Sequence, residues 1–332
     1  MHRLTLGIAV AVALTVGDVA AATPLPNLAA SDAGTLKTFR PDGTPAATLP
    51  ATSWWSIGDT RVAIDAGTGG NDAVAVRDDR NGAPRYRIPN AFRPVVLPGD
   101  EVAFWPGRNG ARDPLLDSLW IRHANGSIGK LLQLSGGDDT LLSSAFDGKG
   151  RRAVVANGND VDLFRYDVWL RDRRTRTTKR LTTDHRSRWP SLRHDGAVVA
   201  YTRERGVCAD GVRAADIVLV TLRTGLRRTL VRGSCARTYP QPVFLTNGFI
   251  VSYRGRRVGG AWIFDLVRIR TSTGARIAIP RSTGGTFSVS QRQRLVAFDR
   301  AGGGVEIVDR HLATVKVLPT ASGPSLAGDL RN

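Results

Sequence analysis

The chain has 332 residues, with 36 glycines and 17 prolines, which allows one large or two smaller domains rich in turns. Its 47 lysines and arginines outweigh 29 acids, for a formal net charge of +18 and a pI near 11.2. No stretch beyond the N-terminus is apolar enough for a membrane-spanning helix, which excludes a multi-span helical bundle.

Residues 1–22 have the parts of a secretory signal peptide. Arg3 supplies the positive start, Leu4 to Val16 the apolar run, and Ala20-Ala21-Ala22 the small residues before a cut at Thr23. An uncleaved anchor is the competing reading, but the run is shorter than the ~20 residues a span needs. The expected location is outside the cytoplasm, in a periplasm, cell envelope or medium. Export argues against a nucleic-acid partner. The arginine excess over five lysines (Lys37, Lys130, Lys149, Lys179, Lys316) has two readings. One is GC-rich coding; the other is attraction to anionic envelope polymers or lipid head groups.

Taken in chain order, residues 23–51 hold one hairpin, Leu36 to Leu49 around Asp42-Gly43. Then an apolar-small-aromatic triplet recurs. Its copies are Val62-Ala63-Ile64, Val102-Ala103-Phe104, the looser Val154-Val155-Ala156, Val199-Ala200-Tyr201, Val251-Ser252-Tyr253 and Val296-Ala297-Phe298. The middle positions lie 40, 52, 45, 52 and 45 residues apart, near the period of propeller blades. Tight turns precede four copies, at Gly58, Gly99, Asp195-Gly196 and Asn247-Gly248. A second hairpin follows each copy, with turns at Asn81-Gly82, Asn125-Gly126, Thr224-Gly225 and Thr273-Gly274 in four of them. Two hairpins per repeat make a four-stranded sheet. Repeated radially, such sheets make an all-β propeller. Residues 52–319 thus predict six four-stranded blades, with the 23–51 hairpin as surplus and 320–332 as a tail. Seven blades is the alternative, but the tail's Ala, Ser, Gly and Pro content argues against a further strand.

From Val168 to Tyr201 the sequence resembles the WD40-like repeat of the TolB propeller family. The residues are Val168-Trp169-Leu170-Arg171, Lys179-Arg180-Leu181-Thr182, Trp189-Pro190-Ser191, Asp195-Gly196 and Val199-Ala200-Tyr201, with His194 in place of the turn proline. The resemblance weakens in the other copies and spans Thr52 to Leu318. It covers the propeller only, because too little chain precedes the first hairpin for that family's α/β domain. It implies peptide or protein partners and transfers no binding residue.

Cys208 and Cys235 are the only cysteines. Two thiols cannot complete a zinc shell, so an exported chain is expected to pair them. One follows a triplet and the other follows a second hairpin, so both lie in links on the same face of the disk. Arg171, Arg173, Arg174, Arg176, Lys179 and Arg180 form a basic run. It reads either as a patch for a phosphate- or carboxylate-rich partner or as a solvated turn. Trp120 and Trp169 recur at one apolar position and read as blade packing; Trp189 with Pro190 reads as structural. His123, His194 and His311 fall in turns. Gly137-Asp138-Asp139 and Asn157 to Asp162 gather oxygen ligands but match no calcium loop, and read as ordinary acidic loops. No Gly-x-Ser-x-Gly or His-Glu-x-x-His motif occurs. No catalytic, cofactor or metal residue is assigned. The expected function is a monomeric, non-catalytic propeller that binds a protein, peptide or anionic envelope polymer through its loops or channel. The alternative is a secreted lyase or glycosidase with acids at the channel mouth.

Overall fold

The computed structural model describes residues 27–32, 35–40, 42–50, 54–66, 72–107, 118–134, 139–159, 165–292, 294–326 and 329. The signal segment, Gly137-Asp138 and Asp160 to Asp162 lie outside them. Antiparallel sheets stand around an axis as seven blades, which corrects the expected six and is the alternative count. Six blades take their strands in chain order. Blade 1 does not: its innermost strand is Ala321–Leu326, followed outward by Leu28–Asp32, Thr35–Phe39 and Pro45–Leu49. The surplus hairpin and the tail therefore belong to one blade, and the two chain ends pair to close the ring. The tail's proline is no obstacle, because an innermost strand is a sheet edge and pairs on one side only.

Blade 2 starts with Trp55–Ile57, blade 3 with Ala91–Val96, blade 4 with Asp139–Phe146 and blade 5 with Ser187–Leu192. Blade 6 starts with the interrupted pair Arg237–Thr238 and Val243–Thr246, and blade 7 with Ser282–Ser290. Because strand direction alternates within a blade, hairpin turns lie on one face of the disk, here the turn face. Links between hairpins and between blades lie on the other, the link face.

Both faces of every blade are covered, so apolar residues run along the second strands instead of alternating with polar ones. Seven apolar clusters result, one at each blade-blade junction. Within a triplet the outer residues face the preceding blade and the middle residue the next. Val199 and Tyr201 pack against blade 4, while Ala200 packs against blade 6. That rule corrects two copies by one residue. Ala153 and Val155 face blade 3, and Val154 pairs with Ala145, so the blade 4 triplet is centred on Val154. Val251 pairs with Val243 and faces blade 7, so blade 6 is centred on Val251. A slip of one residue exchanges the faces. Trp120 and Trp169 pack against junction clusters as expected.

Serine hydroxyls clasp consecutive blades on the innermost strands. Ser56 Oγ accepts the backbone N–H of Val96 at 3.0 Å, Ser191 that of Phe244 at 3.3 Å, and Ser288 that of Leu326 at 2.9 Å. Each acceptor sits opposite the middle residue of its triplet.

Candidate functional site

The innermost strands of all seven blades converge on one cavity of about 290 Å³ along the axis. In four blades the channel position is an X-Pro pair: Arg93-Pro94, Trp189-Pro190, Gln241-Pro242 and Gly323-Pro324. In each pair the first residue has positive φ, at 47°, 49°, 54° and 58°. That conformation is uncommon for Arg, Trp and Gln, and costs backbone energy that the fold must offset. Strand register shifts at the same places, between Phe92 and Val95 and between Arg188 and Ser191, while the blade 6 strand breaks there altogether. Such bulges re-aim a side chain, and these turn Arg93, Trp189 and Gln241 toward the axis. The other blades fill the two equivalent levels with Trp54-Trp55, Ser143-Ser144 and Thr286-Phe287. The result is two stacked rings of seven residues.

Among the described residues the wall is largely aromatic with one cation, Arg93, in it. The Arg93 guanidinium lies 4.6 Å from the Trp54 ring centre, 5.0 Å from Trp105 and 5.8 Å from Phe92. Burial lowers its pKa, and Asp65 opposes that shift. The Arg93 backbone N–H donates to Asp65 Oδ1 at 2.9 Å. Burial pushes the Asp65 carboxyl up to about 7; Asp72 adds to the rise, and Arg93 acts against it. Beside Trp189, Arg188 lies 4.2 Å over the indole and pairs with Glu204. Burial, with the Arg213 charge, brings Arg188 down to about 10.

Polar groups reach the cavity too. The buried hydroxyls of Ser143 and Ser144 have no hydrogen-bond partner among the described residues. Asp329 is the carboxylate of the described lining; it accepts from Ser288 Oγ at 2.7 Å and from the Val289 N–H at 3.1 Å. Toward the turn face, Gln291 Nε2 of blade 7 donates to the Leu192 carbonyl of blade 5 at 2.9 Å. The rings of Trp54, Arg93 and Trp189 lie nearer the link face.

Three of the six residues of the basic run are held by polar contacts. Arg173 is tied to Glu101 at 2.8 and 3.0 Å and to the Gly150 carbonyl. Arg171 donates to the Arg176 carbonyl and to Thr178 Oγ1 at 3.1 Å. Arg180 pairs with Asp167 at 2.5 Å beside Trp169. Arg174, Arg176 and Lys179 are exposed. At the turn face Arg174 joins Lys149, Arg151 and His194 around a depression that also holds Asp147, Asp172 and Asp195. His123 is not a free turn residue: its Nδ1 lies 2.7 Å from Glu101. Among the described residues no group of three or more His, Cys, Asp or Glu is placed to hold a metal ion. Cys208 and Cys235 are joined as a disulfide on the link face, with Cα atoms 5.5 Å apart.

Trp54, Trp55, Trp189 and Arg93 are site residues that the sequence reading passes over or reads as structural. For Arg93 and Trp189 the signal is the X-Pro pair, since positions 93, 189, 241 and 323 recur at separations of one or two blades; Trp54 and Trp55 carry no such mark.

No family model matches the sequence, and no curated protein matches it. Solved structures do share its fold. TolB from Acinetobacter baumannii aligns with TM-score 0.52 at 14% identity, over 90% of this chain and 80% of that one. An oligogalacturonate lyase in complex with manganese aligns with TM-score 0.60 at 10% identity, over 88% of this chain and 84% of that one. Prolyl oligopeptidase B from Galerina marginata reaches TM-score 0.62 at 9% identity, over 92% of this chain but only 52% of that one. Identities this low carry the fold and not the activity: the chain has a TolB-like β-propeller fold.

Proposed function

We propose that this protein is a non-catalytic binding module, working outside the cytoplasm, whose central channel takes the carboxylate-bearing end of an extended ligand. The observation that carries the reading is the seven-blade convergence on one cavity, with Arg93 set among aromatic rings by a strained X-Pro bulge. Arg93 presents a planar guanidinium in the aromatic wall, the geometry that recognises a carboxylate by paired hydrogen bonds. Trp54 and Trp189 offer flat faces to a ring or a peptide plane, and the Ser143 and Ser144 hydroxyls offer donors. The disulfide suits an oxidising compartment. A lyase or glycosidase would need further acid or base groups around the bond it breaks. Asp329, the carboxylate of the described lining, is already engaged.

The test is a titration followed by tryptophan fluorescence, using short peptides with free or amidated C-termini and oligomers of a uronic acid. Binding should require the carboxylate, and Arg93→Ala should weaken it about tenfold. The two ligand series distinguish a peptide source from a polysaccharide. Equal binding of neutral analogues, or breakdown of a bound oligomer, would overturn the reading.

A further inference from the structure

Among the described residues, the second and third strands of blades 5 and 6 are longer than those of the other blades. Val198–Val207 and Phe249–Val258 have 10 residues each, against 5 in Arg61–Asp65 of blade 2. Val207 and Val258 each lie seven positions past their triplet centres, Ala200 and Val251, whereas Asp65 lies two past Ala63. Five extra residues at about 3.3 Å each raise the tips roughly 15 Å above the link face.

The two tips form one stiff knob. Asp210 in the blade 5 tip accepts from Trp262 Nε1 in blade 6 at 2.8 Å and pairs with Arg257 at 3.6 Å. The disulfide ties Cys208, just past the second strand of blade 5, to Cys235 in the link from blade 5 to blade 6. Trp262 stacks on Phe264. The knob nevertheless leaves apolar side chains in water: Val207, Val258, Ile263 and Phe264 are all exposed, Val207 at 59%. Ile263 and Phe264 are consecutive on one strand and so point to opposite sides of the hairpin. What is offered is an apolar tip and not a groove.

Positive charge surrounds it. Residues 203–216, 232–237 and 254–265 hold eight arginines and four acids. The acids are engaged: Glu204 by Arg188 and Arg213, Asp216 by Arg203, Asp265 by Arg254 and Arg256. Arg205, Arg232 and Arg237 are exposed with no carboxylate partner among the described residues. We propose that this knob docks the protein on an anionic lipid surface, with the apolar tips entering the head-group layer and the arginines facing lipid phosphates. A fluid bilayer accepts a convex tip that is apolar on both sides; a protein partner needs a fitted face of about 1,000 Å² or more. The charge complementarity is with lipid, and the rigid knob loses little freedom on docking. The link face, where the channel's aromatic ring lies, would then look toward the membrane. This proposal does not depend on what the channel binds.

Co-sedimentation with vesicles tests it. The protein should bind vesicles of phosphatidylcholine with phosphatidylglycerol and not phosphatidylcholine alone, and salt should weaken the binding. Val258→Asp with Phe264→Asp should cut binding about tenfold or more. Arg205→Ala with Arg232→Ala, a gentler change, should cut it several-fold. Circular dichroism and an intact disulfide would show that each variant is folded. Lys149→Ala, Arg151→Ala and Arg174→Ala on the turn face remove similar charge and should change binding less than about twofold. Absence of binding to anionic vesicles overturns the proposal, as does an equal loss in the turn-face variant. Retention on an acidic protein column by a protein that ignores vesicles overturns it as well.

Discussion

Ser288 and Leu326 meet across the closure of the ring: the Ser288 hydroxyl accepts the Leu326 N–H at 2.9 Å and donates to Asp329 at 2.7 Å. Leu326 ends the strand that completes blade 1, and its side chain is fully buried against blade 7. Ser288→Ala leaves a buried N–H without its acceptor and should lower stability by about 1–3 kcal/mol. Ending the chain at Thr320 removes the whole strand and opens the junction of Leu28, Ala30, Val305 and Ile307 to water. Urea unfolding should show a reduced midpoint for the first variant and loss of a single cooperative transition for the second. A truncated chain that unfolds like the intact one would show that the closure is not needed.

The disulfide supports a second prediction. Joining Cys208 to Cys235 closes 27 positions. Loop entropy then gives about 3.5 kcal/mol, most of it through the unfolded chain. Cys208→Ser with Cys235→Ser should lower the unfolding free energy by that order. It should also speed hydrogen exchange in the blade 5 tip before the rest of the blade. Uniform exchange across blade 5 would show that the bond acts only globally.

Why the sequence showed the blades but not the ring follows from particular residues. Hairpin turns are local, so Gly82, Gly126, Gly225 and Gly274, all at positive φ, are visible without a structure. The seventh blade is not local: Leu28–Asp32 and Ala321–Leu326 pair from opposite ends of the chain. Pro324 argues against a strand only for a position paired on both sides, and the innermost strand of blade 1 is an edge. The register slips at Val154 and Val251 arise where consecutive apolar residues all find a buried face, so alternation gives no phase. The channel is not legible because Trp189-Pro190 has the residue types of packing, and a bulge is invisible until the pairing register is known.

Gly274 combines two constraints. Its φ is +73°, and a Cβ there would sit 2.5 Å from the Leu230 carbonyl oxygen of blade 5. Both the backbone strain and the clash fall on a junction between blades. Gly274→Ala should cost about 1–3 kcal/mol, whereas Gly225→Ala, with the same sign of φ but open space, should cost about 1 kcal/mol. Thermal melts of the two variants compare them directly. Equal shifts would mean that the approach to Leu230 relaxes freely.

Asp65 gives the stability a pH dependence of unusual sign. Burial raises its pKa from 3.8 to about 7, with Asp72 adding to the rise, so the folded protein holds a proton that the unfolded chain has released. Below about pH 4 both states are protonated and the group is neutral in the balance. Between about 4 and 7 the folded state binds more protons, so stability falls as pH rises, levelling above 7. Three pKa units bound the effect at about 4 kcal/mol. Glu101 acts in the opposite sense. Burial pulls its pKa up, but the Arg173 and His123 hydrogen bonds prevail and hold it below the usual value, so its contribution is lost as pH falls through the acid range. Asp65→Asn separates the two, since only the neutral-range slope should disappear. Urea unfolding at about pH 5 and about pH 8 should show the variant gaining stability relative to the parent mainly at the higher pH. An equal change at both would mean that Asp65 does not titrate in this range. The same substitution bears on the channel, because the Asp65 carboxylate accepts the Arg93 backbone N–H at 2.9 Å. Asparagine keeps an oxygen that can accept this N–H, so the strained Arg93 bulge should survive and ligand affinity should stay within about twofold while the stability slope changes.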